Sequence, residues 1–156
     1  MPEYLYRGKR TDNGEWVEGS LVLVTGKCAK IMYNVDVWAE IIFHTVDDKG
    51  FVTGHRYSVD PSTVGQYTGL TTYWIEFEEE LQADVWTDDV LLMCCGDKAV
   101  KAVVKYEAGM FILCSPEFAD SYIPISEEVT AEDECYMTVK KIGNIHDNPE
   151  LLKKEV

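Results

Sequence analysis

Apolar residues in this chain recur with a period of two between closely spaced turn signals, and no other feature restricts its fold as much. The clearest run is Ala99 to Tyr106. Val100, Ala102, Val104 and Tyr106 fall on one side of an extended chain, and Lys101, Val103 and Lys105 on the other. Successive side chains of a strand point to opposite faces, so this is the pattern of a half-buried strand. Similar runs span Ser20–Val24, Val35–Phe43, Tyr73–Phe77, Val90–Cys94, Met110–Cys114 and Tyr136–Ile142. Between them lie Asp12-Asn13-Gly14, Asp47-Asp48-Lys49-Gly50, Cys95-Gly96-Asp97 and Glu107-Ala108-Gly109, whose residues favour tight turns.

Many short strands at this spacing predict a mainly β protein of barrel or sandwich type. No alternation of strands with helical segments argues for a parallel sheet. Helix signals are confined to short stretches. Ser115-Pro116-Glu117 has a capping residue followed by Pro. Asn148-Pro149-Glu150-Leu151-Leu152-Lys153-Lys154 adds an early acid and late lysines, which suit the helix dipole, and predicts a short C-terminal helical segment. Glycines at 65 and 69 and four carboxylates between Glu76 and Glu80 mark the best place for a boundary. The expected organisation is an N-terminal β lobe over 1–70, a connecting segment over 71–88, and a C-terminal β lobe over 89–156 ending in the short helix. The stretch Thr71 to Val85 reads as an extra strand or a short helix inside that connection.

Charge narrows the partners. The chain holds 14 basic against 28 acidic residues, a net charge of −14. Nucleic-acid binding depends on cations that neutralise phosphates. The densest basic cluster is Arg7, Lys9 and Arg10, so no duplex nucleic acid is expected as partner. Five cysteines, Cys28, Cys94, Cys95, Cys114 and Cys135, form no C-x-x-C pair, which leaves zinc-ribbon and thioredoxin motifs unsupported. The adjacent Cys94 and Cys95 would point to opposite faces of a strand and pack as small apolar groups. The opening Met1-Pro2-Glu3-Tyr4-Leu5-Tyr6-Arg7 has no apolar core of a secretory signal. No run approaches the roughly 18 apolar residues of a membrane span. The expectation is a cytoplasmic protein with reduced thiols and no membrane contact.

Residue types that carry chemistry are present but poorly arranged. His55 lies near Ser58, Asp60 and Ser62, the ingredients of a nucleophilic triad, yet triads are defined by geometry and no G-x-S-x-G elbow accompanies them. Asp60-Pro61-Ser62-Thr63 reads more simply as a turn after a polar strand end. The other histidines are His44 and His146. Gly26-Lys27-Cys28 is no P-loop, because Leu21 stands at the upstream glycine position and Cys28 in place of Ser or Thr. Glu127-Glu128 and Glu132-Asp133-Glu134 lack the calcium-loop ligand order and its central glycine, and read as a solvated acidic hairpin loop. No catalytic, cofactor-binding or metal-ligating residue is assigned.

Three segments resemble the YopX family. They are Tyr6-Arg7-Gly8-Lys9 with Gly14-Glu15-Trp16-Val17-Glu18-Gly19; the run Val59-Asp60-Pro61-Ser62-Thr63-Val64-Gly65-Gln66-Tyr67-Thr68-Gly69-Leu70; and Ile142-Gly143-Asn144-Ile145-His146-Asp147-Asn148-Pro149-Glu150-Leu151-Leu152. Their order and spacing match along nearly the whole chain. One segment departs: Trp86-Thr87-Asp88-Asp89-Val90-Leu91 carries Asp88 where the family usually has glycine. Asp tolerates left-handed backbone better than most residues, so the turn is expected to survive. The resemblance implies a phage or prophage origin and a β-rich fold, and carries no catalytic or binding residues. The expected role is that of a non-enzymatic accessory protein acting through a protein partner, which includes a second copy of itself. The alternatives are an acidic inhibitor that mimics nucleic acid against a host enzyme, and an enzyme with an unrecognised site.

Overall fold

The structure, a computed structural model, describes residues 5–118, 122–125 and 137–153. The acidic loop residues between 127 and 134, and Cys135, lie outside the described residues. The fold is mainly β and antiparallel throughout. The chain forms two compact units, Met1–Gln66 and Tyr67–Val156.

In the first unit, β1 (Tyr6–Lys9), β2 (Trp16–Thr25), β3 (Val37–Val46) and β4 (Val52–Val59) pair in the order β4-β3-β2-β1. The first residues of β5 (Gly65–Glu76) complete the ladder, with Gly65 opposite Arg7 and Gln66 opposite Tyr6. The turn residues Asp12-Asn13-Gly14 and Asp47-Asp48-Lys49-Gly50 connect β1 to β2 and β3 to β4 as expected. The core consists of Ala39, Ile41 and Val59, flanked by Tyr6, Val17, Leu21 and Val64.

One helix, α1 (Gly26–Tyr33), had no counterpart in the sequence reading. It has eight residues, and only Ala29 is buried, so no apolar stripe betrays it. It ends where Asn34 takes a left-handed φ of 57° and donates its N–H to the Lys30 carbonyl at 3.1 Å.

In the second unit, β5 continues into a hairpin with β6 (Glu79–Trp86). Residues 71–88, expected to be a connecting segment holding an extra strand or a short helix, are largely strand. A five-stranded sheet follows, in the order β10-β9-β8-β7-β11. Its members are β7 (Asp89–Cys95), β8 (Lys98–Glu107), β9 (Met110–Cys114), β10 (Tyr122–Pro124) and β11 (Met137–Asn144). Among the described residues this sheet does not close into a barrel: β10 and β11 stand at its two ends. The alternation seen in β8 sets its faces, with Ala102 and Val104 buried and Lys101 exposed. These two residues join Val85, Leu91, Met93, Leu113 and Val139 in the core. The C-terminal segment is a single 3-10 turn, Pro149–Leu152, rather than an α-helix.

Close approach explains Gly19 in β2. A Cβ there would lie 2.3 Å from the Ile42 carbonyl oxygen of β3, and a backbone atom cannot swing aside. Gly54, in β4, would meet only the His44 ring at an ordinary 3.5 Å. Gly19→Ala should lower stability by about 2–3 kcal/mol through overpacking, whereas Gly54→Ala should change it by less than about 1 kcal/mol. Urea melts of both variants check this. Equal effects would contradict the packing account.

Candidate functional site

The densest polar network in the second unit forms where β6 gives way to β7. Two aspartates occupy that corner. Asp88 adopts φ 70°, the left-handed conformation expected at this turn. Its N–H donates to the Val104 carbonyl at 2.8 Å, and its own carbonyl accepts from Ile145 N at 3.0 Å. Its carboxylate accepts from Lys105 Nζ at 2.6 Å and lies 3.0 Å from His146 Nε2. Asp89 is fully buried. One of its carboxylate oxygens accepts from Trp86 N at 2.8 Å and lies 2.9 Å from Lys141 Nζ.

The terminal motif closes over this corner. Asn144 is buried, and its side-chain oxygen accepts from His146 N and Asp147 N at 3.0 and 2.9 Å. Its amide donates to Asp147 Oδ2 at 2.9 Å. Asn148 N donates back to the Asn144 carbonyl at 2.9 Å. This is an Asx-type turn, in which a short polar side chain replaces a backbone partner. Gly143 is needed beside it, since a Cβ there would sit 2.4 Å from Asn148 Oδ1. Leu151 is partly buried against Gly143, while Leu152 is half exposed. One leucine thus docks and the other stays half in solvent.

The middle motif forms a second turn of the same kind in the first unit. Asp60 caps the 3-10 turn Pro61–Thr63, with Oδ1 accepting from Ser62 N at 3.0 Å and Ser62 Oγ at 2.8 Å. Thr63 Oγ1 donates to the Asp60 carbonyl at 2.7 Å and accepts from Lys9 N at 2.9 Å. Asp60 N donates to the Lys9 carbonyl at 2.8 Å. The turn therefore fastens β1. Gly69, further along the motif, holds φ 82° inside an irregularity of the β5–β6 ladder.

The other sequence candidates separate. His55 Nε2 lies 2.8 Å from Thr45 Oγ1, and its ring stacks on Phe43 at 4.7 Å. Asp60 is instead engaged with Ser62, so these residues form no triad. Gly26, Lys27 and Cys28 open α1. His44 lies on β3, opposite Gly54 of β4. Cys94 and Cys95 are consecutive on β7, opposite Ala99 and Lys98. Among the described residues, no group of three or more His, Cys, Asp or Glu side chains is arranged to hold a metal ion, and no helix is long and apolar enough to cross a membrane.

Two shallow grooves lie on the lysine-bearing side of β8. One, of about 460 Å³, is lined by residues that include Lys101, Ser115, Leu152 and Lys153. The other, of about 320 Å³, includes Val103, Lys105 and Cys114. Burial pushes the Cys114 thiol up, Glu107 adds to this, and Lys105 opposes it. The net direction disfavours the thiolate, which is the nucleophilic form. The sequence reading missed the meeting of Asp88, Lys105 and His146, because the three are far apart in the chain. The available signal was that the unusual Trp86-Thr87-Asp88-Asp89 entry and the terminal motif are both rich in turn-forming polar residues.

Fold and turns together define a class: an antiparallel β protein whose long polar motifs are fastened into turns by their own side chains. Residues 5–153 match the model of the YopX protein family. The chain belongs to the YopX family. No curated protein and no solved structure matches it.

The corner supplies a test of which aspartate matters. Asp89→Ala leaves Lys141 and the Trp86 N–H without their buried acceptor and should cost about 3 kcal/mol. Asp88→Gly keeps the left-handed backbone and removes only the partly exposed Lys105 ion pair and the His146 contact, at about 1 kcal/mol. Thermal melts compare them. A larger loss for Asp88→Gly would reverse the assignment.

Proposed function

We propose that this protein is a phage or prophage accessory protein of the bacterial cytosol that acts by binding another protein. The observation that carries this reading is the placement of large apolar side chains at the tips of its elements. Ile31 on α1, Phe51 beside the β3–β4 turn and Phe77 at the β5–β6 turn are 84%, 69% and 93% exposed. Side chains of this size gain free energy when a partner removes them from water. The polar residues of the family motifs, in contrast, are occupied by their own turns. The net charge of −14 adds long-range attraction toward a basic partner.

The experiment is affinity capture of the tagged full-length protein from phage-infected or prophage-induced cells. It is run beside a variant carrying Ile31→Ser, Phe51→Ser and Phe77→Ser. The expected result is one partner in stoichiometric amount, lost from the variant while its melting temperature is unchanged. Capture of no stoichiometric partner by the wild-type chain would contradict the proposal.

A further inference from the structure

The β5–β6 hairpin combines features that no other tip of the described chain shares. Glu76 pairs with Glu79, leaving a two-residue loop of Phe77 and Glu78. Both loop residues have positive φ, 52° and 68°, as a type I′ turn requires. Such positions ordinarily hold Asn and Gly, because a bulky residue there strains the backbone. Here the apex is instead a phenylalanine, held almost wholly in solvent.

The two faces of the hairpin are unequal. On one, Trp74 opposite Leu81 is partly buried, and the Glu76 carboxylate meets Lys140 Nζ of β11 at 2.7 Å. Lys141 Nζ also donates to the Asp84 carbonyl at 3.0 Å. These contacts fix the hairpin to its own unit. On the other face, Tyr73 and Ile75 are more than half or about half exposed, opposite Gln82 and Glu80. The result is an anchored hairpin whose open face carries Tyr73 and Ile75 beneath the apical Phe77, with Glu80 opposite Ile75 and Glu78 beside Phe77 in the loop.

We infer that this hairpin is the docking element, and that its occupant is a different protein presenting an apolar pocket ringed by lysine or arginine. This rests on the protein-contact reading above and assigns it a surface. Charge complementarity selects the occupant. Carboxylates around an apolar anchor favour a cationic rim and penalise an acidic one. A second copy docked tip to tip would set Glu78, Glu79 and Glu80 against their own counterparts. Anionic lipid headgroups and nucleic acid would be repelled for the same reason. The fixed base of the hairpin limits the ordering cost on binding.

The test uses the full-length chain in the induced cells, with photoreactive benzoylphenylalanine in place of Phe77, Phe51 or Ile31 in turn. The expected result is a single crosslinked partner from position 77 that is not a second copy. That crosslink should fall at least tenfold when Glu78→Lys and Glu80→Lys are added. It should persist when Asp48→Lys and Asp97→Lys, which change net charge equally, are added instead. Crosslinks from positions 51 or 31 with none from 77 would overturn the hairpin assignment and leave the protein-contact reading standing. A crosslink to a second copy, or one insensitive to the hairpin charges, would also overturn it. No crosslink from any of the three positions would overturn both.

Discussion

The second unit depends on a buried carboxylate. Asp89 sits with no exposed surface where the β5–β6 hairpin passes into the five-stranded sheet. An unpaired charge at such a place would cost several kcal/mol, so its partners are obligatory. Trp86 N supplies a neutral donor from the preceding strand, and Lys141 a cation from β11. The same lysine reaches the Asp84 carbonyl of β6. A single ammonium thus ties the start of β7, the second strand of the hairpin and β11 together. The terminal motif then packs over that corner through Ile145 and His146.

The family motifs acquire a physical meaning in this arrangement. Asn144 and Asp60 have equivalent tasks in the two units. Each is a short polar side chain that accepts backbone N–H groups in a tight turn. Pro61 and Pro149 then preset the backbone for the 3-10 turns that follow. Gly19 and Gly143 occur where a side chain would collide with a neighbouring strand or with Asn148. Motif residues in this chain therefore hold the scaffold, while Ile31, Phe51 and Phe77, the exposed apolar residues on which the protein-contact proposal rests, lie on α1 and at hairpin tips. Loop tips on a rigid frame are where binding residues commonly sit.

Much of the fold was legible because strands bury one face. Met110–Cys114 was read at its true bounds, and Ala99 to Tyr106 falls one residue short of β8 at each end. Of β4 only a polar strand end before Asp60 was legible, because Val52–Val59 contains Gly54, His55 and Arg56 and half of its residues are exposed. β6 was legible only as one of two alternatives, an extra strand or a short helix over Thr71 to Val85, because Glu79 and Glu80 mimic a loop although they pair directly with Glu76 and Ile75. α1 was invisible because it buries one residue and turns Ile31 and Met32 outward. The Asp88–Lys105–His146 contact joins three distant parts of the chain, and no local pattern encodes such a meeting. The exposed Phe77 was equally hidden, since an apolar residue after Tyr73 and Ile75 reads as one more strand position.

The central claim is that the motif turns serve folding and the exposed tips serve binding. Asp60→Ala tests it most directly, because Asp60 lies in the longest family motif and ends in solvent-facing turn geometry. The melting temperature and the amount of captured partner are measured on the same preparation. The account predicts a loss of about 1 kcal/mol, or several degrees, from the missing cap. Partner capture per folded molecule should remain at the wild-type level. An unchanged melting temperature with abolished capture would contradict the account and make the turn itself a binding site.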